Sequence, residues 1–76
     1  MNNEETNMDL VTVAVENYPY QASILKALLE EAGIKVFLQN EYMAQLYGNT
    51  VGGIAVQVSN TDVEKARELL IESGHK

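Results

Sequence analysis

Few side chains in this sequence could do covalent chemistry, and they are spread so that none can help another. The sole histidine, His75, stands next to the last residue, while Ser23 and Ser73 fall in or at the end of amphipathic segments and Thr50 in a connection. A hydroxyl nucleophile needs a base within hydrogen-bond reach and a third group to orient that base, so a hydrolase triad is excluded. There is no cysteine, which removes thiolate catalysis, thiolate metal sites and disulfides together. Glu30 and Glu31, and Glu64, Glu68 and Glu72, fall on the polar faces of helical patterns, where carboxylates are solvated charge rather than acid–base pairs. No catalytic residue, metal site or cofactor is expected, and the chain does not read as an enzyme.

What remains is recognition chemistry, concentrated between Gln39 and Gly52. The stretch "QNEYMAQLYGNTVG" joins two strand-like segments where a hairpin of about two to five residues would do, and connections this long usually carry function or are disordered. Tyr42, Met43, Leu46 and Tyr47 argue against disorder. Tyr42 and Leu46, and Met43 and Tyr47, are four apart, the spacing that pairs side chains on a short helix over 41–47. Such a helix either caps the open end of the core or the uncovered sheet face, or forms a surface for a ligand or partner. Asn40–Glu41 could contact an effector, and Asn40 serves equally as an N-cap. Gly48, Gly52 and Gly53 could cradle an anion with backbone N–H groups, but they lead into a strand and no Lys or Arg lies between Lys35 and Lys65. Conformational freedom and a bulge at the strand start account for them better.

The elements that must position this segment follow from hydrophobic period. "DLVTVAVE" alternates as strand β1 over 9–16, with Val11, Val13 and Val15 on the buried side and Leu10, Thr12 and Ala14 opposite. "NYPYQASILKALLEEAGI" reads as helix α1, with Asn17 or Tyr18 at its cap, Pro19 in the first turn and Gly33 past its end; Ala22, Leu25, Leu28, Leu29 and Ala32 share a face. "IKVFLQ" is strand β2 over 34–39 and "GIAVQVS" strand β3 over 53–59, with Ile34, Val36, Leu38, Ile54, Val56 and Val58 inward. "NTDVEKARELLIESG" is helix α2, with Thr61 and Glu64 at capping-box spacing and Val63, Ala66, Leu69 and Leu70 as its apolar stripe. Residues 1–8, "MNNEETNM", are polar and aperiodic and are expected to fray.

The order β, α, β, β, α fits one α+β domain over 9–74: a truncated ferredoxin-like fold, sheet order 1-3-2, both helices on one face. Lacking a fourth strand, it leaves β1 as a free edge with neither a proline nor an inward charge to blunt it. The face turned away from the helices would show Leu10, Thr12, Ala14, Lys35, Phe37, Ala55 and Gln57, an apolar centre on which another surface could dock. Seventy-six residues bury only about 60 to 65% of the unfolded surface, so a second copy covering that edge or the Phe37 face is expected, most simply as a dimer.

A net charge of −6 repels nucleic acid and anionic membranes alike. No apolar run approaches the ~18 residues of a membrane span and the N-terminus does not read as a secretory signal, so a cytoplasmic location is expected.

From Asp9 to Ser73, the helix exit "LLEEAGI", then "VFLQNE", "GNTVGGIAVQV" and "SNTDVEKARELL" resemble a small bacterial family labelled putative prokaryotic signal transducing proteins. In architecture it is similar to the PII-type nitrogen regulators, whose fold is ferredoxin-like with a long loop between the second and third strands. That resemblance implies effector binding near the loop; it does not extend to a nucleotide site, whose final strand and basic loop are absent. The expected function is a non-catalytic regulatory or signal-transducing binding module. Its recognition surface comprises Phe37, Asn40, Glu41, Tyr42, Met43, Leu46, Tyr47, Gly52 and Gly53, and its partner is a protein or a small-molecule effector. The alternative is a structural protein–protein interaction domain that pairs through β1.

Overall fold

A computed structural model of the chain describes residues 9–40 and 53–74. Strand β1 (Leu10–Glu16), helix α1 (Pro19–Glu31), strand β2 (Val36–Gln39), strand β3 (Ile54–Ser59) and helix α2 (Val63–Glu72) follow in that order, a 3₁₀ turn at Asn60–Asp62 leading into α2. The sheet order is β1-β3-β2 with both pairs antiparallel, the ferredoxin-like α+β arrangement. Residues 1–8 and the proposed short helix over 41–47 lie outside the described residues.

Period and packing agree in β3. Ile54, Val56 and Val58 are fully buried under the helices, and Ala55, Gln57 and Ser59 point the other way, half-buried. Ala22, Leu25 and Leu29 of α1 and Ala66 and Leu70 of α2 complete the core with Ile34 and Val36; Leu28, Leu38, Val63 and Leu69 pack around it. Leu28 is therefore at the margin of the core, with Leu25 and Leu29 at its centre.

Helix ends follow local chemistry. Pro19 opens α1, where its missing N–H has no partner to lose, and Tyr18 stands at the N-cap without a side-chain bond. At the other end Gly33 takes φ 88° and a Schellman closure forms: Gly33 N–H donates to Glu30 C=O at 2.9 Å and Ile34 N–H to Leu29 C=O at 3.1 Å. The chain then turns directly into β2. In front of α2 the expected Thr61–Glu64 capping box does not form. Ser59 caps the 3₁₀ turn instead, its Oγ accepting from Thr61 N–H at 3.3 Å, and Asp62 at the start of α2 makes no side-chain cap bond. The tighter turn moves the helix start onward and leaves the Thr61 hydroxyl 3.0 Å from Ser59 Oγ.

The main departure is in β1. Its register with β3 runs Leu10 to Ser59, Val11 to Val58 and Thr12 to Gln57, then resumes with Ala14 opposite Val56, Val15 opposite Ala55 and Glu16 opposite Ile54. Val13 is an extra residue, a β-bulge, and side-chain period is two, so every residue after it changes face. Val13 and Ala14 both pack against the core, while Val15, expected inside, is 54% exposed on the opposite face. Ala14, expected on the open face, replaces it inside.

Candidate functional site

Pairing sets the open face of the sheet row by row. Directly opposed residues of an antiparallel pair share a face. Thr12, Gln57 and Phe37 make the central row, and Val15, Ala55 and Gln39 the row toward the β2–β3 connection. Gln57 Nε2 donates to the Thr12 hydroxyl at 3.0 Å, tying the central strand to the edge strand. Phe37 is half-buried, and Lys35 Nζ stands 6.0 Å from its ring centroid, at the range of a cation–π contact. The result is a mixed surface, in which Phe37, Val15 and Ala55 stand among Thr12, Gln57 and Gln39 with one cation beside them.

The bulge also moves a charge. In an unbroken strand Glu16 would join the open face; here it is opposite Ile54, on the helix side. The β1 edge thus carries two features that discourage strand addition, a bulge and an inward-turned charge, where the sequence suggested neither.

At the mouth of the β2–β3 connection, Asn40 and Gly53 form a clasp. Asn40 adopts φ 74°, and its Nδ2 donates to the Gly53 carbonyl at 3.3 Å. A left-handed φ is outside the extended region used by a helix N-cap, so Asn40 acts as a strand-end turn residue. Asparagine is among the few residues that enter this region readily, the one signal in the sequence for its role. Gly53 is buried at φ 84°; a Cβ there would overlap Val15 Cγ1 and lie 3.2 Å from the Glu16 carbonyl oxygen. Glycine is required by both backbone and space.

Of the expected site residues, Phe37 is on the open face, and Asn40 and Gly53 face each other at its end. Glu41, Tyr42, Met43, Leu46, Tyr47 and Gly52 lie outside the described residues. Val15 was missed as a surface residue, because only the bulge exposes it. A separate apolar cluster lies at the start of α1, where the rings of Tyr18 and Tyr20 stack at 6.2 Å and Ile24 is 54% exposed. Among the described residues no side chain that is polar or charged is buried, no group of three or more His, Cys, Asp or Glu gathers where a metal could sit, and no helix is long and apolar enough to cross a membrane.

Fold and site together define a small ferredoxin-like domain in which, among the described residues, the helices cover one face of the sheet and nothing covers the other. The chain belongs to the family described as "Putative prokaryotic signal transducing protein", whose model matches residues 10–74. No curated protein and no solved structure matches it.

Proposed function

We propose that the chain is a non-catalytic regulatory module that recognises a partner or effector on the open face of its sheet, beside the Gln39–Gly52 connection. The observation that carries this reading is the face itself. In a chain of net charge −6, it gathers Phe37, Val15 and Ala55 with Lys35 as the charged neighbour and, among the described residues, no carboxylate at a paired position. Apolar side chains interleaved with polar ones are the usual makeup of a non-obligate contact surface. The family description supports a signalling role. The absence of cysteine and the single histidine in the sequence support a non-catalytic one. A cytoplasmic site of action belongs to the same proposal and rests on the acidic, cysteine-free composition. Pairing through β1, the alternative, is weakened by the bulge and by Glu16.

The test is a thermal-shift screen of metabolites and nucleotides on the natural chain and on Phe37→Ser and Val15→Ser. A genuine effector raises the melting temperature of the natural chain, and that rise disappears in the two variants. A rise that survives both substitutions places recognition elsewhere and overturns the proposal.

A further inference from the structure

We infer that the open sheet face is covered by a second copy of this chain, packed face to face about a two-fold axis that runs along the strands. The inference rests on the binding face proposed above and names its partner. The charge distribution selects the face. Two copies of a −6 chain repel each other, and the helices carry Glu30, Glu31, Glu64, Glu68 and Glu72. The bulge that turns Glu16 to the helix side leaves the open face without a carboxylate at any paired position. Two copies can therefore meet there without opposing acids, whereas contact through the glutamate-bearing helix faces would bring like charges together at a cost of several kcal/mol.

The shape of the face selects the axis. A two-fold axis along the strands lays β2 of one copy over β1 of the other. Because Thr12, Gln57 and Phe37 share a row, Phe37 descends on Thr12 of the second copy, a short side chain flanked on the same face by Leu10 and Val15. The same contact is made twice, as an isologous interface requires. The Thr12 hydroxyl oxygen already accepts from Gln57 Nε2 at 3.0 Å, so that oxygen keeps a partner when it is covered. The two Lys35 side chains fall on opposite edges. With strands ~4.8 Å apart and sheets ~10 Å apart, their backbones are separated by about 14 Å, beyond the Debye length of about 8 to 10 Å at ordinary ionic strength. Three short strands make a footprint at the low end of interface sizes, the class of reversible contacts.

Sedimentation of the full chain across micromolar concentrations tests this directly. Dimer is expected to grow with concentration, and Val15→Glu, at a position exposed in the monomer, is expected to weaken association by about tenfold or more. Phe37→Ser should do the same, whereas Ile71→Lys, on an exposed position of α2, should leave it unchanged. Circular dichroism confirms that each variant is folded. Because the chain has no cysteine, Gln39→Cys and Val15→Cys proteins, whose positions share a row and so face each other across the proposed axis, can be mixed with a short bismaleimide. The mixed pair should cross-link faster than either protein with itself. A monomer at every concentration overturns the inference, as does a dimer insensitive to Val15→Glu and Phe37→Ser. Faster self-linking of either cysteine variant overturns the axis. An effector shift that depends on Phe37 in a chain that stays monomeric sinks the second copy and leaves the binding face standing.

Discussion

Gly53→Ala offers the sharpest check on the geometry around the β2–β3 mouth. Gly53 is at φ 84°, where an L-residue costs about 1 to 2 kcal/mol relative to glycine. The new methyl would overlap Val15 Cγ1, and the half-exposed valine would have to leave its rotamer, adding about 0.5 to 1.5 kcal/mol. Gly33 provides an internal reference, since it has φ 88° but nothing within 4 Å of the point where a Cβ would stand; Gly33→Ala should therefore cost the backbone contribution alone. The expected losses are about 1 to 2 kcal/mol for Gly33→Ala and about 1.5 to 3.5 for Gly53→Ala. For a domain of this size each kcal/mol lowers Tm by about 4 to 8 °C, so the two variants should separate by several degrees. Urea and thermal unfolding followed by circular dichroism measure both. Adding Val15→Ala should recover the steric part of the Gly53→Ala loss and leave the backbone part, a coupling that a double-mutant cycle isolates. Alanine at an unstrained glycine stabilises by about 0.4 to 1 kcal/mol through the unfolded chain. A Gly53→Ala protein that melts at or above the natural Tm would refute both the left-handed backbone and the Val15 contact.

Three further substitutions probe the rest of the frame. Leu25→Ala, at a fully buried position, should cost about 2 to 5 kcal/mol, most of the stability of so small a domain, and Leu28→Ala, at the core margin, clearly less. Equal losses in denaturant titration would mean that α1 is rotated. The bulge predicts an inversion of the simple strand pattern: Val15→Glu should change monomer stability by less than about 1 kcal/mol, whereas Ala14→Asp, facing the core, should cost about 2 or more. The opposite ranking in thermal melts would remove the bulge. Asn40→Gly should lose only the bond to Gly53, about 0.5 to 1.5 kcal/mol, and Asn40→Ala should lose more because alanine resists φ 74°. Alanine matching glycine at this position in the same melts would place Asn40 in an ordinary backbone region.

Much of this protein is written in local patterns that need no partner to be read. Alternation in "IAVQVS", the helical spacing of Ala22, Leu25 and Leu29, proline at the front of α1 and glycine behind it each act within a few residues. Those elements, their order and the 1-3-2 sheet accordingly follow from the sequence. Tertiary pairing alone decided which way the end of β1 faces. "LVTVAVE" alternates without a flaw, so nothing local marks Val13 as the extra residue; the bulge exists because β1 must match β3 across the sheet while packing both Val13 and Ala14 under the helices. That one added residue, through a period of two, moved Val15 out, moved Glu16 away from the open face, and so set both the shape and the charge of the surface on which the proposed function rests.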